Sequence, residues 1–169
     1  NKDITPRQAA QLDMIEHLNK LGYKNPIVEN HFEFKNYFRK ENYTDKYCYN
    51  GNASFFLEPL EATSLAMVNN INRHTWDLLH KNINSTKANK LYREYLYEIM
   101  VVINLHYLNP KYSSDFWDEA KKNSQWIHTH EGFNNIIKNL DTPEYFVNDF
   151  GTWTKDSFKQ NIEGLSLNL

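Results

Sequence analysis

The sequence predicts a mainly α fold with a small β portion near the N-terminus. Apolar residues recur at helical spacing over 65–78 and again over 91–102. Capping and breaking residues punctuate the chain at helix-length intervals, and period-two alternation is confined to residues 27–38. The length, 169 residues, fits a single domain over 1–169 with a core of its own.

Each element has its local reason. Thr5-Pro6 pairs a capping hydroxyl with a proline suited to a first helical position. Ala10, Met14, Leu18 and Leu21 then share a face, and Gly22 is the expected stop. Phe32, Phe34 and Phe38 alternate, predicting one or two strands, and residues 46–50 (KYCYN) a further short one. Beyond Pro59, Leu65, Val68, Ile71, Thr75 and Leu78 predict a helix to about Ile83. Ser85 is the expected cap of a second long helix, 86–107, with Leu91, Tyr95, Ile99 and Val102 on one face and Asn109-Pro110 ending it. Ser113-Ser114 announces a shorter helix through DFWDEAKK, and helical segments are expected at 133–140, 143–150 and 155–163.

Composition narrows the function classes. A net charge of -2 with interspersed signs makes no electrostatic case for nucleic acid. No apolar stretch approaches the roughly 20 residues that cross a bilayer, so no membrane partner is expected. Cys48 is the only cysteine, which excludes an internal disulfide and suits a reducing, cytoplasmic setting. Aromatic residues make up 15% of the chain, enough for an aromatic core or a pocket for a flat ligand. The abundance of Asn, Lys and Tyr suits an AT-rich genome such as a phage's. The opening NKDITPRQ is neither a signal peptide nor a usual initiation site, and is expected to be an internal point of a longer protein.

Weak constellations are set aside. His128 and His130 with Glu131 form an H-x-H-E cluster at an expected loop, and no metal site is expected there. His74 and His80 are expected at the surface or between helices, and Cys48 in a buried strand. Neither a G-x-S-x-G elbow nor a G-x-G-x-x-G fingerprint occurs.

The informative stretch is GNASFFLEPLEATSL, residues 51–65. Glu58 precedes a proline and is expected to be extended, while Glu61 falls in the first turn of the following helix. Amides near Ala62, Thr63 and Ser64 form a potential anion site. By spacing alone the acids are either helix-start acids or a functional pair.

Gly51, Ala53, Phe56, Glu58, Pro59, Leu60, Glu61, Ala62, Thr63 and Ser64 fit a run that resembles the C-terminal signature of the flavin-dependent tryptophan halogenases. NLHYLNPKYSSDFW, residues 104–117, resembles a second family segment. The resemblance implies the helical C-terminal part of such an enzyme, without its nucleotide-binding half. The implied chemistry uses FAD and a chloride or bromide: reduced flavin and oxygen oxidise the halide, and the halogen is delivered to an aromatic ring. A flavin reductase is the implied partner. Glu61 would be catalytic and point toward the substrate. Thr63 and Ser64 would supply halide-binding amides. Gly51, Asn52, Ala53 and Pro59 would meet the flavin, Asn52 standing where the family usually has Asp. Tyr107, Phe116 and Trp117 would hold an indole or another aromatic small molecule. The alternatives are a non-catalytic interaction or structural module with a halogenase-like fold, and a flavin monooxygenase that uses no halide.

Overall fold

Pro6 leads the chain into α1 (Arg7–Lys20). The computed structural model describes residues 5–30, 35–58, 60, 63–140 and 155–167, with only the backbone of Ile136 and Lys155. Thr5 is not the cap: Pro6 stands at that position and no side chain bonds the first amides. Gly22 does end the helix. It adopts φ +91°, the Tyr23 amide donates to the Leu18 carbonyl at 3.1 Å, and the Gly22 amide donates to Asn19 at 3.0 Å. That pair of bonds requires a left-handed residue, which glycine supplies without strain. The expected apolar face of α1 is not a core face, because α1 buries none of its residues.

The β portion is small. β1 (Tyr37–Phe38) pairs antiparallel with β2 (Phe55–Phe56), Tyr37 opposite Phe56 and Phe38 opposite Phe55. The strand expected at 46–50 is reduced to a bridge between Tyr43 and Cys48. The intervening Thr44 folds its chain back, its hydroxyl accepting from the Tyr47 amide at 3.1 Å. Cys48 is therefore half-buried, its Sγ 3.4 Å from the Thr75 hydroxyl. The alternation at Phe32 and Phe34 and the helix expected at 143–150 lie outside the described residues.

The helices follow the periodicity with corrected faces. α2 (Thr63–Leu79) buries Thr63, Met67, Ile71 and His74, whereas Leu65 is 72% exposed. It ends four residues before Ile83, where Lys81 takes φ +59° and the Asn82 amide returns to Asp77. α3 (Ser85–Leu108) is capped one residue earlier than expected: the Asn84 side chain accepts from the Lys87 amide at 2.9 Å. α4 (Asp115–Ser124) is capped by Ser114, with Asp115 and Asp118 in its first turn and Lys121 and Lys122 in its last, a charge order that the helix dipole favours. α5 (Glu131–Lys138) and α6 (Lys155–Gly164) complete the described helices. None of these is long and apolar enough to cross a membrane.

α3 is shared by two apolar clusters. α3 packs Tyr92, Leu96, Ile99 and Ile103 with Tyr43, Phe55, Met67 and Ile71. Its second half packs Val101, Val102, Leu105 and Leu108 against Ile127, Phe133 and Phe158. Each fully buried Leu, Ile or Phe contributes roughly 2 kcal/mol, so the helix is anchored at both ends.

A buried polar network fixes the loop between β1 and β2 to α3. The Asn89 Oδ1 accepts from the amides of Asn42 at 2.7 Å and Tyr43 at 2.9 Å. Its Nδ2 donates to the Tyr43 carbonyl at 2.8 Å. The Ser54 hydroxyl donates to Asn42 Oδ1 at 2.6 Å, and the Tyr92 hydroxyl donates to the Ser54 carbonyl at 3.1 Å. Asn42, Ser54 and Asn89 are all buried, so their polar atoms need these partners.

Replacing Asn89 with Ala strands two buried backbone amides and is expected to cost about 3 kcal/mol. A urea titration that places N89A within about 0.5 kcal/mol of the wild type would contradict this account of the loop.

His74, expected at the surface or between helices, is buried on α2, edge-on to Tyr43 with ring centroids 6.2 Å apart. Burial, and then Arg73, hold its imidazole below the ordinary 6.5 against the smaller pull of Asp77. The unfolded chain therefore takes up the proton first. Stability should fall as pH drops through about 6.5 and level off below the depressed folded value. His74→Gln should flatten that slope in melts recorded across pH 5 to 7.

Candidate functional site

Glu58 sits just beyond β2 and ahead of Pro59 in the chain. Tyr107 lies on the last turn of α3. The two meet across the fold, the Tyr107 hydroxyl donating to Glu58 Oε2. Burial first, and then the Glu58 carboxylate, push the phenol above its ordinary value of 10.0. Tyr107 is thus held neutral, as a donor.

This pair lines a cleft of about 1000 Å³, at the upper end of the usual size for a small-molecule site. Tyr37, Phe38 and Leu57 form one wall. Met100, Ile103, Asn104 and Tyr107 of α3 form the second. Phe116, Glu119, Ala120, Asn123 and Ser124 of α4 form the third. The three walls come from segments far apart in sequence, which α3 gathers by packing against α4.

The substrate candidates divide. Tyr107 and Phe116 face the cleft. Trp117 stands outside its lining and backs both rings, with centroids 6.0 Å from Tyr107 and 5.1 Å from Phe116. Such tilted and edge contacts hold aromatic rings in place. Asn104 and Asn123 join the cleft without having been singled out as site residues, and Glu58 joins it as the acid whose spacing left it between a helix-start and a functional role. The Glu-Pro step and the Asn that opens NLHYLNP were the available signals.

The flavin candidates form a short 3-10 turn, Gly51–Ala53, at the surface. Gly51 adopts φ +52° with open space where a Cβ would stand. The Asn50 side chain accepts from the Gly51 amide at 2.8 Å. From the β1 side, the Tyr37 hydroxyl donates to the Asn52 carbonyl, and Arg39 Nε donates to the Ala53 carbonyl at 2.7 Å. Arg39 also lies 3.7 Å over the Tyr49 ring. With those carbonyls engaged, the turn fits a flavin at its exposed edge, through the open face of Gly51 and the exposed Asn52 carboxamide. Ser54 turns inward to Tyr92, its hydroxyl 2.9 Å from the phenol oxygen, so its bulk stays off that edge.

The halide candidates begin α2. The Thr63 amide donates to the Leu60 carbonyl at 3.2 Å. Thr63 is buried, and its Oγ1 has no hydrogen-bond partner among the described residues. Ser64 is half-buried in the first turn. Pro59 and Glu61 lie outside the described residues. The H-x-H candidate is separated: His128 is exposed in a 3-10 helix, while His130 accepts from the Phe133 amide at 3.2 Å. Among the described residues no group of three or more His, Cys, Asp or Glu is placed to hold a metal.

A mainly helical chain with an acid-bearing, aromatic-walled cleft beside a glycine turn has the makings of a site for a flat ligand. The chain belongs to the tryptophan halogenase family, whose model matches residues 4–168. Neither the curated proteins nor the solved structures contain a match.

Raising the pH while following the Tyr107 ring by NMR should show it ionising above 10.0, as the buried Tyr43, Tyr92 and Tyr95 also should. Glu58→Gln should bring the Tyr107 transition down without returning it to 10.0, because burial remains the larger cause. An unchanged titration would break the link between the two groups.

Proposed function

We propose that this chain forms the substrate and halide side of a FAD-dependent halogenase acting on an aromatic small molecule. The observation that carries this is the cleft itself. The family signature delivers Glu58 to a space walled by Tyr107 and Phe116, the rings that the resemblance assigns to substrate. FAD, when bound, would supply the oxidation of chloride or bromide by oxygen, with a flavin reductase as the source of reduced flavin.

The chain's own residues then have distinct tasks. Gly51, Asn52 and Ala53 would meet the flavin edge, with Pro59 leading the backbone toward it. Thr63 and Ser64, at the start of a 17-residue helix, would hold the halide with helix-start amides. Tyr107 and Phe116 would confine the ring, and Trp117 would brace them. Glu61 would be the carboxylate that orients the halogenating species or takes the ring proton.

A second reading, a non-catalytic module of halogenase-like fold, is favoured by one observation. The Thr63 amide is already bonded to Leu60, which leaves it one donor fewer for an anion.

The two readings part in an assay of the full gene product with FAD, a flavin reductase, NADH, bromide and indole. Brominated indole is expected, with Glu61→Gln lowering turnover at least about a hundredfold while its melting curve stays put. Near-normal bromination by E61Q would remove Glu61 from catalysis. FAD binding without product would favour the monooxygenase alternative, and no FAD binding the module.

A further inference from the structure

A second cavity, of about 920 Å³, opens where the turn between α2 and α3 meets the loop of residues 44–48. It shares no lining residue with the cleft of Glu58 and Tyr107, and its size is that of a small-molecule site. Part of the lining is apolar. Leu78 and Ile83 stand there, partly buried against the core that holds Tyr43 and Ile71, and Leu79 beside them is 74% exposed. Three cations stand on the same lining: Lys46 from the loop, Lys81 just beyond α2, and Lys87 from the first turn of α3. All three are exposed, and no carboxylate among the described residues pairs with any of them. Asp45 is the one acid of the lining, and its Oδ1 accepts from the Ser85 hydroxyl at 3.2 Å. The cavity is thus positive on a chain whose formal net charge is -2. Lys81 also holds its place against a local preference. It takes φ +59°, a left-handed conformation that glycine or asparagine adopts with less strain. Strain kept at the rim of a cavity points to a use for the side chain.

We propose that this cavity binds amphiphilic anions: small molecules that join a carboxylate or phosphate head to an apolar body. The head meets the ammonium groups of Lys46, Lys81 and Lys87, and the body covers Leu78, Leu79 and Ile83. Neither half of the lining suffices alone. Exposed lysines hold a bare ion weakly, because water and salt screen each pair. An apolar lining without them takes neutral and charged ligands alike. A ligand with both parts is held by its body while its head stays among the cations. Lysine suits that task, since its compact charge and three rotatable donors accept either head. The proposal stands apart from the halogenase reading, because it uses none of the same residues.

Amide NMR of the isotope-labelled protein, titrated with octyl phosphate, octanoate, octanol and inorganic phosphate, tests the proposal. Octyl phosphate or octanoate is expected to shift the amides of residues 44–48 and 78–87, and the tighter of the two names the preferred head. That ligand should bind about tenfold more tightly than octanol, since each exposed ion pair adds up to about fivefold. Inorganic phosphate should bind more weakly still. Raising the salt from about 20 mM to about 500 mM should shrink the advantage over octanol. Lys81→Asn should weaken binding several-fold and yet raise the melting temperature, because asparagine fits the left-handed backbone better. Adding Lys46→Gln and Lys87→Gln should bring the ratio to octanol close to one. The proposal is overturned by no binding of either amphiphile, by shifts confined to residues 100–124, or by octanol or inorganic phosphate binding as tightly. An advantage that survives the triple substitution overturns it too. If that variant does not fold, the salt series on the wild type decides, and an advantage unmoved by salt overturns it.

Discussion

Asn89 is the constraint on which the rest of the front half depends. It is a buried carboxamide that serves two backbone amides and one carbonyl from a loop over 40 residues earlier. The loop has almost no regular structure to satisfy its own backbone, only a bridge and a turn. Without an external partner those groups would be dehydrated and unpaired, a cost of about 1–3 kcal/mol each. Asn89 meets that need from a helix that is itself fixed by two apolar clusters. Ser54 and Tyr92 extend the same tie toward β2, so the segment leading to Glu58 inherits its position from α3.

α3 therefore does two jobs. Its packing against α2 and against Ile127, Phe133 and Phe158 builds both cores, and the same helix carries Asn104 and Tyr107 into the cleft. The α3 wall of the cleft is backed by the core, because Tyr107 follows the buried Val101, Val102 and Leu105 on a continuous helix. A site mounted on rigid elements holds its side chains in one geometry before any ligand arrives. The Glu58–Tyr107 bond closes the arrangement by joining the end of the signature strand to the end of that helix.

The surface around Gly51 follows a different logic. Its turn is held by Tyr37 and Arg39 through its carbonyls, which leaves its outer edge exposed. This division, with bonds inward and an open face outward, suits a surface that meets a large flat partner. It also explains why Ser54, though bulkier than a glycine or alanine, does not obstruct that face: its hydroxyl belongs to the buried network.

By itself the sequence determined the helical class, the existence of α2, α3 and α4, the stop at Gly22, the Ser114 cap and the match to the family signature. These are local properties, governed by periodicity and by residues within a turn of one another. Tertiary structure alone decided the rest. Leu65 fits the helical repeat as well as Ile71 does, yet one is exposed and the other buried, because periodicity describes a stripe and not what covers it. His74 could stand at the surface or between helices by sequence, and packing beside Tyr43 decided that it is buried. Glu58 and Tyr107 lie 49 positions apart, and no local pattern in either segment encodes the other. Their pairing exists only because α3 is packed firmly enough to bring one helix end against one strand end.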